Sequence, residues 1–372
     1  MGLHHLSLTD FRNFSKISFN FTPTINFLIG KNGSGKTSIL EALHLLSTGR
    51  SFRTTNLNRT INFNSDNAVI YAEAQGLNGL DYKIGYKRDH KNNKYLKLNN
   101  NDISSVAHIA AVLPMCCIEG VGFRALLESP QLRRRILDWG VFHVEHSFYE
   151  AWQKYNKVLK QRNVYLKQNP GRDYYDTWDA LFAKAALNLM ILREKYFKAL
   201  KPYFDAHIQK LLPIGKIDVV LKQGIDGASE EEILSELKSS LPKDRERGFT
   251  SIGPHKADLI FKFKNIQAKE SLSRGQQKMV ILALYLAQLE YLKLATDKRC
   301  LILIDDIASE LDQNAQQMLY RELYATNHQV VITAVNVPQL EHLKDLVESS
   351  NIINIATYDK EFNVSRETNK MV

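Results

Sequence analysis

A chain of 372 residues with 44% hydrophobic and 24% charged content holds enough material for one large domain or two modest ones around buried cores. Three cysteines, with Cys116 and Cys117 adjacent and no C-x-x-C spacing, exclude a disulfide framework and a zinc or dithiol site, so a reducing cytoplasm is expected. No cleavable apolar leader or long uninterrupted apolar run appears, so no membrane role is expected, and 49 Lys plus Arg against 40 Asp plus Glu (net +9) favours a polyanionic partner.

Residues 3–8, 16–21 and 25–29 read as short strands, and the third runs directly into a glycine-rich loop. Residues 30–37 read GKNGSGKT, which fits G-x-x-x-x-G-K-[ST] between a strand and a helix. Gly30, Gly33 and Gly35 let the backbone approach phosphate oxygens, with Lys31, Asn32 and Ser34 completing the loop around them. Lys36 suits β- and γ-phosphate oxygens, and the Thr37 hydroxyl suits a Mg²⁺ shell beside bound ATP. The helix expected over 38–46 is apolar on one broad face. Strands expected over 68–74, 82–86 and 95–98 alternate with Gly and Asn clusters, as in an antiparallel flap.

Between 123 and 245 the pattern turns helical. Trp152, Tyr155, Leu159 and Leu166 form one stripe; Lys154, Lys157, Lys160 and Lys167 lie off it. A break at Asn169-Pro170-Gly171, before a second periodic segment over 178–200, predicts an antiparallel helical hairpin. At 1.5 Å per residue, a first helix of about 20 residues makes an arm of only about 30 Å. Lys154, Lys157 and Lys160 are candidate DNA contacts, and a solvated helix face accounts for them equally well.

The last part returns to α/β character, with strands expected over 258–263, 300–304 and 330–335 and helices over 276–294 and 313–324. Two α/β pieces flanking a helical insertion suggest one nucleotide-binding core: residues 1–122 with 246–372 as the ATPase lobe, and 123–245 as the helical lobe and arm. LILI followed by Asp305 and Asp306 resembles a Walker B element, in which Asp305 serves the metal shell and Asp306 polarises the attacking water. Lys36, Asp305 and Asp306 are therefore the candidate catalytic residues, and Thr37 with Asp305 the candidate Mg²⁺ ligands. SLSRGQQ, residues 271–277, resembles the signature loop of ABC-type ATPases, although Ser273 alone reads as a helix N-cap and Gly275 as a turn residue. That resemblance implies that Ser273 and Gly275 meet ATP held on a second subunit, with SELD at 309–312 running along the same interface.

The segments LTDFRNF (8–14), STGRSFR (47–53), LESPQLRRRILDWGVF (127–142), GPHK (253–256) and LIDDIASELD (303–312) closely resemble the RecF family of bacterial recombination-mediator ATPases, in order and across nearly the whole chain. The resemblance implies an α/β fold: a P-loop ABC-type ATPase head with an inserted helical lobe carrying a short antiparallel helical-hairpin arm, a short-armed relative of the SMC proteins. It also implies an ATP-dependent homodimer that binds duplex DNA and single-strand/duplex junctions and acts with RecO and RecR to load RecA at gaps.

Two departures stand out. Cys116 occupies the place of a Q-loop glutamine, and a thiol cannot replace a carboxamide as a metal or water contact. No switch histidine appears in VITA, residues 331–334, where Thr333 is the nearest polar group, and with Asp306 this suggests slow turnover suited to a switch. His255 and Lys256 are candidates for either a lobe contact or a DNA contact. The rival readings are a transport or other ABC ATPase serving another partner, and an SMC-like structural DNA-bridging ATPase, for which this arm is short.

Overall fold

The structure, a computed structural model, describes residues 2–76, 79–119, 128–168, 172–305, 311–335 and 349–355. The chain forms two compact units, one of Met1–Gly122 with Asp297–Val372, the other of Phe123–Thr296.

In the first unit, strands β1 (Gly2–Phe11) and β2 (Phe14–Asn20) pair antiparallel, burying Leu6 and Leu8 against Ile17 and Phe19 on one face. The buried strand β3 (Ile25–Ile29) leads through the glycine loop into helix α1 (Lys36–Thr48), which ends on left-handed Gly49. Strands β4 (Asn67–Gln75), β5 (Asp81–Asp89), β6 (Lys94–Leu98) and β7 (Asn101–Asp102) complete a six-stranded sheet in the order β2-β1-β4-β5-β6-β7. Helix α2 (Ala107–Val112) then precedes strand β8 (Met115–Glu119).

The second unit opens with α3 (Pro130–Val144), capped by the Ser129 side chain and carrying Pro130 in its first turn. Helices α4 (Phe148–Gln168) and α5 (Arg172–Leu211) run antiparallel, as the contacts Tyr165–Trp178, Arg162–Asp179 and Tyr155–Phe182 step in opposite senses along them. The arm tip at residues 169–171 lies outside the described residues. A strand, β9 (Ile217–Lys222), interrupts the region expected to be helical, because IDVVLK alternates buried and exposed positions and carries β-branched residues. Helix α6 (Glu230–Arg247) begins with three glutamates and ends near Arg245 and Arg247, each charge matching the helix dipole.

Strand β10 (Asp258–Phe263) pairs antiparallel with β9 and with β11 (Ile266–Gln267); a short helix α7 (Ala268–Ser271) leads into α8 (Arg274–Thr296), which packs on α5. Residues 246–296, assigned to the ATPase lobe from sequence, thus belong to the second unit, because the β9–β10 ladder and the α5–α8 packing tie them there. Helix α8 is long and apolar enough to cross a membrane, but most of it is buried in this unit, as in a core helix.

The chain then returns to the first unit with β12 (Leu301–Asp305), α9 (Gln313–Thr326), β13 (Gln329–Ala334) and β14 (Asn351–Asn354). These strands form an all-parallel five-stranded sheet in the order β14-β3-β13-β12-β8. Helix α1 contacts β8, β12 and β13 of this sheet as well as β1 of the other. One apolar core, including Leu8, Leu43, Leu303 and Val331, therefore links both sheets and fixes where α1 begins.

Candidate functional site

The glycine loop sits at the C-terminal ends of the parallel strands, where β3 hands over to α1. Gly33 and Gly35 have φ of +82° and +99°, conformations that L side chains rarely adopt. A Cβ on Gly35 would lie 2.3 Å from Phe14 Cζ, so the LTDFRNF turn packs directly against the loop and requires glycine there. The Lys36 ammonium donates to the carbonyl oxygens of Gly30 and Lys31, the latter at 3.0 Å, and so spans the loop. Ser34 Oγ is buried without a hydrogen-bond partner, an orphaned group of the kind a ligand in a phosphate cradle would satisfy.

Asp305 ends β12, between β13 and β8. Its Oδ1 accepts a hydrogen bond from Thr37 Oγ1 at 3.2 Å and another from Thr333 Oγ1 at 3.0 Å. Sheet order thus gathers the first turn of α1 after the loop, the carboxylate that ends β12 and the Thr333 hydroxyl of β13. Thr37 and Asp305 present a hydroxyl and a carboxylate, the hard oxygen donors that Mg²⁺ prefers. A cleft of about 980 Å³ opens here, lined among others by Asn32, Lys36, Thr37, Asp305 and Thr333.

Arginines form part of the cleft wall, and sequence reasoning did not single them out. Arg12, Arg53 and Arg59 all line it. Arg12 is held by Glu41 of α1, whose side chain is fully buried, through Nε to Oε2 at 2.8 Å and Nη2 to Oε1 at 2.5 Å. Arg53 reaches Glu41 Oε2 at 3.4 Å. The available signal was positional: Glu41 lies one helical turn beyond Thr37, and both arginines fall in family-like segments.

Other candidates occupy different places. Ser273 and Gly275 lie exposed at the start of α8, in the second unit. Ser273 Oγ accepts from Gln276 N at 3.3 Å while Gln276 Oε1 accepts from Ser273 N at 2.9 Å, a capping box that leaves Gly275 with open space around its Cβ position. Asp306, and with it Ser309 and Glu310, lies outside the described residues. Asp312 caps α9 by accepting from Ala315 N at 2.8 Å. Cys116 is buried on β8, and burial pushes its thiol up to about 12, so it packs as a small apolar residue.

Within the second unit, His255 faces inward. Its Nε2 donates to Thr250 O at 2.9 Å, which leaves Nδ1 to accept from the Tyr155 hydroxyl at 2.6 Å. Burial holds this imidazole down near 4, so it is neutral. Lys256 Nζ stands 5.5 Å from the Phe249 ring centre. Arg133 forms a two-point pair with Asp258 and Arg134 donates to Ala257 O, so both serve the fold around β10. Lys154, Lys157 and Lys160 are exposed along α4, with Lys154 paired to Glu150 at 2.7 Å.

Comparison with known proteins follows the same lines. Residues 2–355 match the model of the RecF/RecN/SMC N terminal domain family. The chain is 37% identical over 356 residues to the DNA replication and repair protein RecF of Haemophilus influenzae, covering 95% of this chain and 98% of that protein. It is 37% identical over 348 residues to the Pseudomonas aeruginosa PAO1 protein of that name, covering 93% and 92%. A solved structure of the recombination mediator protein RecF with ATP, in the RecFOR pathway, superposes with a TM-score of 0.82 at 25% identity, covering 90% of this chain and 92% of that one. The Smc head domain of Pyrococcus furiosus shares the fold, with a TM-score of 0.56 at 14% identity and 92% coverage of each chain.

Proposed function

The chain belongs to the RecF family of DNA replication and repair proteins, within the RecF/RecN/SMC group, and from that premise we propose that it is a slow, DNA-stimulated ATPase that works as an ATP-operated DNA clamp. ATP lies on residues 30–37, with Lys36 against its phosphates and the α1 N-terminus contributing partial positive charge. Thr37 and Asp305 would hold Mg²⁺, which when bound would supply charge neutralisation beside the phosphates. Asp305 keeps Thr37 and Thr333 aligned on one oxygen, and Asp306 orients the attacking water.

Ser273 and Gly275 of a second copy complete the site in trans, so ATP drives homodimerisation. Binding can favour the closed dimer only if ATP has higher affinity for it, so nucleotide and DNA affinities are coupled reciprocally. The arm lysines Lys154, Lys157 and Lys160 line the DNA path, and the clamp acts at single-strand gaps and duplex junctions with RecR and RecO, upstream of RecA. The observation that carries this reading is the convergence of Thr37, Asp305 and Thr333 beside the glycine loop. Sedimentation with a slowly hydrolysed ATP analogue tests it: a nucleotide-dependent dimer is expected, and a monomer at saturating nucleotide overturns the trans site.

A further inference from the structure

We propose that Glu41 is a positioning residue of the nucleotide cleft, holding Arg12 rigid and Arg53 movable so that their charge meets the bound phosphates in a fixed geometry; the proposal rests on the nucleotide reading above. Glu41 projects from α1 one turn past Thr37, and its carboxylate is fully buried. A buried carboxylate is costly unless its oxygens are matched by charged donors, and here both charged partners, Arg12 and Arg53, line the cleft. Arg12 gives two guanidinium contacts, Ser51 Oγ donates to Oε1, and Arg53 adds a contact at 3.4 Å.

The two arginines are held very differently. Arg12 is pinned four ways: twice to Glu41, by Nη1 to Arg59 O at 2.6 Å, and by its backbone N–H to Thr60 O at 2.8 Å. Its φ of +54° is unusual for a side-chain-bearing residue, so the surrounding contacts impose its position. The Arg53 side chain makes the longer contact to Glu41 and one to Ser38 Oγ at 3.3 Å and is 43% exposed, while its backbone N–H donates to Ser51 Oγ at 2.9 Å. One carboxylate facing two guanidiniums leaves a net positive charge for an anionic ligand. Arg12 supplies a fixed donor fork, and Arg53 can leave Glu41 for phosphate with few contacts to break.

Charge and position make opposite predictions for Glu41→Gln. Removing a negative charge from the cleft wall should by itself tighten anion binding, whereas losing the two-point hold on Arg12 should weaken it. Equilibrium binding of a fluorescent ATP analogue to the full chain decides between them, with folding followed by thermal melting. We expect Glu41→Gln to weaken binding about tenfold in the wild-type background and less than about twofold in Arg12→Ala, since contacting residues couple non-additively. Glu41→Asp, which retains the charge, should recover part of the loss and carries the same cycle if the glutamine variant fails to fold. Unchanged or tighter binding, or an equal loss in both backgrounds, overturns the proposal. Lys36→Ala in the same assay tests the underlying reading separately: undiminished ATP binding there refutes the nucleotide site itself.

Discussion

Thr37 and Asp305 stand 268 positions apart in the chain, yet the threonine hydroxyl donates to the aspartate Oδ1 at 3.2 Å. The parallel sheet closes this gap by placing β12 two strands from β3, so the strand ending in Asp305 finishes beside the first turn of α1. Asp305→Asn keeps the shape of that contact and removes the charge. Phosphate release is expected to fall about 100-fold or more, while equilibrium nucleotide binding falls far less. Equal losses in both assays would mean that Asp305 supports binding alone.

Lys36→Met removes the ammonium that spans the loop carbonyls. Because a charged donor to phosphate contributes roughly 1.5–3 kcal/mol, nucleotide affinity should drop by about one to two orders of magnitude, with a lower melting temperature in the absence of nucleotide from the two lost loop contacts. Isothermal titration checks the first part and calorimetry the second.

Ser273→Arg tests the trans site without touching the loop, since Ser273 is exposed in the second unit and caps α8. Nucleotide binding by the monomer should persist, the dimer should be lost, and stability should fall by about 1 kcal/mol from the lost cap. A variant that dimerises normally with ATP would rule out the sandwich.

The place of the glycine loop between β3 and α1 was legible in the sequence because its glycines keep a spacing that its backbone turn demands. Asp305 was legible as a carboxylate after a buried strand. The Arg12–Glu41 pair was not, because a contact across 29 positions has no periodicity, and a glutamate on an otherwise apolar helix face reads as ordinary. The extent of the second unit was hidden for a related reason: the β9–β10 ladder joins segments on either side of α6 and, together with the packing of α8 on α5, keeps residues 246–296 with the helices. His255 read as a candidate for either a lobe contact or a DNA contact, because no spacing in the sequence shows that its two ring nitrogens are taken by Thr250 and Tyr155.

That burial makes stability depend on pH. Desolvation lowers the His255 imidazole to about 4 from its ordinary 6.5, so the unfolded chain binds the proton more readily. The stabilisation is complete above the unfolded value and is lost as pH falls toward the folded one, reaching about 2 kcal/mol of loss by pH 5. Urea midpoints at pH 7 and pH 5 should therefore separate more for wild type than for His255→Gln. An equal separation would assign the acid sensitivity elsewhere.

Exposed Lys157 and Lys160 on α4 are the arm groups best placed to meet phosphates from solvent. Replacing both by glutamine should weaken DNA binding across sequences and lower the slope of log affinity against log salt by about 0.9 per lost contact. A weaker affinity with an unchanged slope would place the DNA elsewhere.

The clamp stands or falls on coupling between nucleotide and DNA. The decisive measurement is the affinity of the purified protein for a gapped DNA junction, with and without a slowly hydrolysed ATP analogue, across a salt series. Tight, salt-sensitive binding that requires nucleotide is the predicted result. Equal affinity with and without nucleotide, or no DNA binding in either condition, would contradict an ATP-operated clamp.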